Sequence, residues 1–400
     1  MTRSLRVECQ KKITITDPGP RAANENMNEI FTRISALLPA PPTATPQSRG
    51  AHRFTPCLRI LVLLAWMQLL TAGEAATPGL VLEGEQGLGK GQHIVFVTGE
   101  EYYRSEEGMS MFAKILARHH GFKCTVLFSI NKDGEIDPNT QNNEPGMEAL
   151  ASADLCIMLL RFRGWPDDQM KHFADYFLAG KPVIALRTST HAFDFKKDSP
   201  SAYKKFGWQG KEWAGGFGKQ VLGETWVSHW GNHKKEATLG VIPDAIRSHP
   251  VLRGVEQVFG DTDVYEAAPP ADATILVLGQ VLKGMNPTDA PAEYRKKTAK
   301  GVEQGVNDPM MPVVWVRDFK NENGKVNRIL NTTMGSATDL QSEGMRRLLV
   351  NGAYWAVGLE KKIPKKATVD YVGEFKPTMY GFNGFKKGVK PAEHEMPAKP

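Results

Sequence analysis

The sequence predicts an α/β fold built on a mostly parallel, doubly wound sheet, and three observations carry that prediction. Four short apolar runs, His93–Thr98, Cys124–Ile130, Leu155–Leu160 and Val183–Leu186, have the uninterrupted character of strands covered on both faces. Helix-period segments lie between them, and strand–helix alternation of this kind gives right-handed crossovers and parallel neighbours. Each run but the second ends abruptly in charged and polar residues, as strands do where they deliver groups to a ligand at the carboxyl edge of an open sheet.

Taken in order, Gly84 to Gly91 (GEQGLGKG) fits G-x-x-x-x-G-K but is followed by a strand, whereas a phosphate loop follows a strand and opens a helix. It is read as a flexible linker. After the first strand, Ser105 is an N-cap candidate with Glu106 and Glu107 in the first turn. Met109, Phe112, Ile115 and Leu116 then form the inward stripe, and Gly121 ends the helix. A polar loop and a short helix near Met147–Leu150 lead to the third strand. Pro166, Asp167 and Asp168 open the next helix, whose stripe is Met170, Phe173, Ala174 and Phe177. Gly180 closes it, and the fourth strand follows. Residues 195–270 form a looser Gly- and Trp-rich region. Strands return at Thr274–Leu282, Pro312–Phe319 and Val326–Thr333, with Asn323-Gly324 as a hairpin turn between the last two. A final helix spans about Thr338–Val357, and the last forty residues are read as a surface wrap with no core of their own. No internal repeat is present.

Residues 1–76 read as targeting rather than fold. Arg49, Arg53 and Arg59 precede the apolar run Ile60–Leu70, and small residues follow to Ala76, in the order of a secretory signal. The expected divisions are a disordered or mis-assigned extension at 1–52, a signal peptide at 53–76, a linker at 77–91, an α/β domain at 92–360 and an extended tail at 361–400. The run is shorter than the roughly 20 residues of a membrane span, so none is expected after signal removal, and the location is secreted or periplasmic. Of 50 Lys/Arg and 44 Asp/Glu, nine and five fall in residues 1–76, which leaves the rest only +2. That balance argues against a nucleic-acid partner. Cys124 and Cys156 lie in strands that the first strand would separate, so they are expected as buried free thiols. A homo-oligomer is compatible with the composition.

Three loops should meet at one sheet edge, bringing Glu100, Glu101 and Arg104, then Arg161, Arg163 and Trp165, then Arg187, Ser189 and His191. A second cluster lies in GETWVSHWGNH, with Glu224, Trp226, His229, Trp230 and His233. Gly231 and Asn232 place the two histidines on a loop, and there is no H-E-x-x-H; a divalent metal enters only if His191, His229 and His233 converge. Acid–base work by one histidine is the stronger expectation. Five of the eight tryptophans fall in this middle region, where flat apolar faces suit sugar rings as well as a packed core. Asp261, Asp263 and Glu266 supply carboxylates for the arginines.

The stretches EEYYRSEEGMSMFAKILARHHGFKCTVLF, GKPVIALRTSTHAF, FGKQVLGETWVSHWGNH, HPVLRGV, NDPMMPVVWVR and NTTMGSATDLQSEGMRRLLVNGAYWAVGLE resemble the trehalose-utilisation (ThuA-like) family, within the class I glutamine amidotransferase-like superfamily. The resemblance spans roughly residues 93–360. It implies a flavodoxin-like three-layer sandwich, with extra strands and loops from an inserted segment, and a link to carbohydrate metabolism. A glutamine amidotransferase needs a Cys nucleophile on the turn after the fourth strand and a downstream His. Here the turn reads Arg187-Thr188-Ser189, and the late strand ends Asn331–Gly335 without a His, so glutaminase chemistry is excluded. Ser189 lacks G-x-S-x-G surroundings and is expected to bind rather than attack.

The expectation is a secreted enzyme, a hydrolase or related activity, acting on a small-molecule saccharide. His191, His229, Arg187 and Glu101 are its catalytic group. Arg104, Arg161, Trp165, Ser189, Glu224, Trp230 and Asp263 are its substrate contacts. No cofactor is assigned beyond the conditional metal. The rival expectations are a non-catalytic carbohydrate-binding module and a metal-dependent hydrolase.

Overall fold

Ten strands form a single sheet in which the carboxyl ends of the parallel strands fall along one edge. The computed structural model describes residues 79–398; the expected extension, signal peptide and start of the linker lie outside the described residues. The strands are β1 Leu80–Leu82, β2 His93–Gly99, β3 Lys123–Leu127, β4 Leu155–Leu160, β5 Val183–Leu186, β6 Thr238–Val241, β7 Val258–Gly260, β8 Thr274–Val281, β9 Arg295–Lys297, β10 Glu303–Gly305, β11 Met311–Lys320 and β12 Val326–Thr332. The sheet order is β1-β3-β2-β4-β5-β12-β11-β8-β6-β7, and β9 and β10 make a separate hairpin. From β3 to β12 every pairing is parallel, and the remaining pairings are antiparallel. The sheet is therefore a flavodoxin-like parallel half continued by an antiparallel half built from the later strands.

Three helices complete the layers: α1 Ser105–His120, α2 Asp167–Leu178 and α3 Glu343–Ala356. Successive β2 side chains point to opposite faces. Ile94 and Phe96 join α1 and α3 in one core, whereas Val95 and Val97 join α2 in the other. Phe173 and Phe177 of α2 are fully buried, each worth about 1.5–3 kcal/mol of apolar transfer. Among the described residues no helix is long and apolar enough to cross a membrane. Cys124 and Cys156 are buried and free, with β2 between their strands.

The structure departs from the sequence reading in four places. The expected linker carries β1, which pairs with β3, and the Gly-rich loop is packed rather than free: Glu85 and Gly89 donate backbone hydrogen bonds to the Ala117 and His120 carbonyls. That loop supplies partners for the open C-terminal end of α1. Ser105 is not the N-cap. It is the first helical residue, and its Oγ accepts from Gly99 N, while Arg104 takes the cap position in a left-handed conformation. α3 begins at Glu343, because Ser342 caps it through Met345 N and residues 339–341 form a separate turn. Finally, the tail does enter the core: Val369, Val372, Tyr380 and Phe385 are buried.

Candidate active site

The turn after β5 sets the site. Arg187 follows the last strand residue with φ at 38°, a left-handed conformation that costs a non-glycine residue roughly 1–2 kcal/mol. The chain therefore turns sharply from β5 into the short 3-10 turn Arg187–His191, with an arginine at the corner. Its guanidinium does not face a ligand. It is fully buried and donates to Asp263 O (3.1 Å), Thr333 O (2.7 Å), Tyr103 OH (3.1 Å) and Asp263 Oδ1 (2.9 Å). It also lies over the rings of Tyr103 and Tyr265, at 4.3 and 4.1 Å. Burial opposes the charge, but the surrounding tyrosine and aspartate oxygens outweigh it and hold Arg187 firmly protonated.

Asp263, itself buried, is the hub that Arg187 holds. His229 Nδ1 lies 2.7 Å from Oδ2, and His233 Nδ1 lies 2.6 Å from Oδ1. Burial pushes the carboxyl up, yet Arg187 and the two imidazole hydrogen bonds prevail and keep it well below the usual carboxylate range. An ionised carboxylate only accepts, so both Nδ1 atoms carry protons. In the neutral rings the Nε2 atoms are then acceptors. Tyr102 OH donates to that of His233 at 2.8 Å, while that of His229 has no protein partner among the described residues.

These groups open on a cavity of about 280 Å³ lined by Tyr102, Arg161, His191, Trp226, His229 and Phe382, among others. His191 hydrogen-bonds Thr190 Oγ1 through Nδ1 at 3.1 Å and rests against Phe162, Trp208 and Trp226. Burial first, then the charges of Arg161, Arg187 and His229, push its imidazole far below the usual range, so it stays neutral. Arg161 stands between Phe162 and Phe382, at 4.4 and 5.3 Å, and pairs with Glu101. Glu101 also binds Arg163 Nη2 at 3.0 Å, so two guanidinium groups share one carboxylate and the wall keeps positive character. Beside it, burial and the Glu101 charge raise Glu100 to about 8 against the opposing hydrogen bonds of Tyr103 N and Tyr102 N and the charge of Arg161.

The structure brings together His191, His229, His233, Asp263, Arg161 and Glu101, and it separates the rest. Arg187 is a buried post, not a ligand contact. Arg104 donates to the Tyr102, Met379 and Gly381 carbonyls and so ties down the tail. Trp165 is in the α2 core against Phe173 and Phe193. Ser189 Oγ bridges Leu160 N and Met158 O inside the sheet edge. Glu224 binds Lys219, Thr225 N and Ala268 N, which pins a loop. Trp230 is fully buried and donates to Val306 O at 2.8 Å. The expected trio of metal ligands is also altered: the cluster whose ligand atoms lie within 4.8 Å of one another is His229, His233 and Asp263, without His191.

Sequence reasoning missed Tyr103, Tyr265, Tyr380 and Phe382 as parts of the site. The pair Tyr102-Tyr103 adjoins Glu100-Glu101 in the loop after β2 and Tyr265 is two residues beyond Asp263, so a reading of aromatics beside the candidate carboxylates finds those. Nothing in the tail's Lys-, Pro- and Gly-rich composition marks Phe382, which is 59% exposed at the cavity mouth and packs on Tyr102 at 4.6 Å between ring centroids.

The fold and site define an α/β protein in which the turn after β5 supports a buried aspartate–histidine cluster. Residues 93–356 match the family model described as trehalose utilisation (ThuA), and the chain belongs to that family. Among solved structures it is similar to a ThuA-like protein from Bacteroides uniformis, with 16% identity and TM-score 0.42 over 70% of this chain and 98% of that one. It is also similar to a ThuA-like protein from Parabacteroides merdae, with 15% identity and TM-score 0.42 over 73% and 97%. No curated protein matches the chain.

Proposed function

We propose that this trehalose-utilisation-type protein is an enzyme acting on a small saccharide or sugar derivative, with His229 as its general acid–base. The observation that carries this reading is the Asp263 carboxylate on His229 Nδ1 at 2.7 Å, which fixes the tautomer and leaves Nε2 unpartnered on a cavity wall. A carboxylate behind an imidazole orients the ring and stabilises its protonated form as it takes a proton. His191, held neutral, accepts or donates a hydrogen bond to a second hydroxyl. Arg161 supplies a fixed positive charge for oxygen that becomes negative during reaction. Phe162, Trp226 and Phe382 give apolar faces on which a sugar ring packs. The cavity, at about 280 Å³, suits one ring rather than a chain.

A panel of disaccharides beginning with trehalose, assayed for product with the purified protein, tests the reading. Asp263→Asn is expected to lower kcat about 10²- to 10⁴-fold while saccharide affinity changes little, since the ring contacts remain. Binding without any product, unaltered by His229→Ala, means a binding module instead.

A second reading is metal-assisted hydrolysis, favoured by the His229–His233–Asp263 cluster. Against it, Arg187 already sits 2.9 Å from Asp263 Oδ1, and a divalent ion there meets a buried positive charge. Activity that appears only with an added divalent cation, and is lost to a chelator, decides for the metal. We also propose export, on the signal-like pattern at 53–76. Amino-terminal sequencing of the protein from the extracellular or periplasmic fraction checks this, with a start near Thr77 expected.

A further inference from the structure

A second cavity, of about 570 Å³, lies on the loop region 194–212 and is lined by Lys196, Lys197, Lys204, Lys205 and Lys211, with Asp194 and Glu212 the acidic side chains on its wall. Lys205 is engaged by Glu322 at 2.6 Å and by the Trp213 ring, whereas the other four lysines make no ion pair among the described residues. Four unpaired ammonium groups around one concavity concentrate anions. They are all lysines. An arginine fork selects a single planar carboxylate or phosphate, while several mobile point charges suit anionic groups spaced along a chain.

The cavity adjoins the histidine site. Gly207 and Gln209, on its wall, flank Trp208, whose ring lies 5.3 Å from Phe162 and 6.3 Å from His191 on the wall of the other cavity. Trp208 thus stands between a pocket sized for one ring and a larger basic one. We propose that the lysine cavity binds the anionic part of a saccharide, carrying carboxylate or sulfate groups, whose neighbouring ring occupies the histidine cavity. The saccharide part of this assignment rests on the proposed function; the anion binding does not.

Titration calorimetry on the full chain tests it. The probes are an oligogalacturonate, a size-matched dextran sulfate, neutral maltooctaose and tripolyphosphate, each at low salt and at 0.2 M NaCl. One or both anionic saccharides are expected to bind, at least tenfold more weakly at the higher salt, and whichever binds tighter identifies carboxylate or sulfate as the recognised group. Replacing Lys196, Lys197, Lys204 and Lys211 together by Gln is expected to cost at least tenfold in that affinity. The same change at Lys361, Lys362, Lys365 and Lys366, which removes equal charge elsewhere, leaves it intact. Asp263→Asn also leaves it intact, so loss of the acid–base reading is distinguishable from loss of this one. Binding unchanged by the first quadruple substitution, maltooctaose binding as tightly as the anionic chains, tripolyphosphate binding more tightly than either, or no anionic saccharide bound at all each overturns the proposal.

Discussion

At Arg187 a residue type, a backbone angle and a burial combine into one function. The left-handed turn directs a guanidinium inward, where it neutralises Asp263 and so fixes two histidines at once. Arg187→Met removes the cation and leaves a buried carboxylate unpaired, with an expected loss of about 3–5 kcal/mol of stability in urea unfolding. The double variant Arg187→Met, Asp263→Asn is expected to recover part of that loss, because no buried charge is then left alone. Simple addition of the two single effects would remove the ion pair from the account. The sequence places Arg187 correctly at the strand end but misassigns its role. Its partners Asp263 and Tyr103 are 76 and 84 residues away, and no local pattern shows that they close over it. The sequence misleads on Trp230 and Ser189 for the same reason: a side chain at a strand end or in a Trp-rich loop looks alike whether it faces a cavity or the core.

At the scale of elements, β2, β4, β5, β8, β11 and β12 are legible because apolar strand runs bounded by turns leave a signal of their own. The short strands β6 and β7 are not, since three or four residues with a glycine carry no period; their place depends on pairing with β8 and with each other. The π-helical turn Gly218–Leu222 was likewise invisible, yet it presses on the loop that carries His191. A Cβ at Gly218 would overlap the Thr190 carbonyl oxygen. Gly218→Ala is therefore expected to displace that turn from the His191 loop, lowering stability by more than about 2 kcal/mol and lowering turnover with it. Thermal unfolding and kcat/KM measured together check this. An alanine variant of full stability and activity would mean that the turn yields freely.

For the whole molecule, the loops and helices around the sheet hold several carboxyl groups away from water, and these make stability depend on pH. Glu144 is fully buried; burial raises it to about 8, against the lowering effects of the Ser129 hydrogen bond and the Arg163 charge. An unfolded chain ionises this group near pH 4.5, so the folded form holds the proton longer. The stability it contributes is complete below that pH and declines as pH rises toward 8. Glu144→Gln keeps the oxygen that Ser129 bonds and removes the titration. Melting temperatures of the two proteins are expected to agree near pH 4.5, with the variant melting higher at pH 8. Parallel curves would assign the pH dependence to other groups. The parallel half of the fold was readable from alternation, whereas the return of residues 378–385 to the cavity mouth was not, because it rests on Arg104 bonding the Gly381 carbonyl across 277 residues. That contact also sets an order of events. A nascent chain can complete β2 and α1 long before residue 382 is made, and until then the pocket has no outer wall. The mouth is completed last, by a segment whose Tyr380 is buried against Tyr102 and Tyr103 while Phe382 is left largely exposed, and that exposed part is the first to open in the native protein. Amide exchange should find residues 378–385 cycling between shut and open while the sheet beneath stays protected.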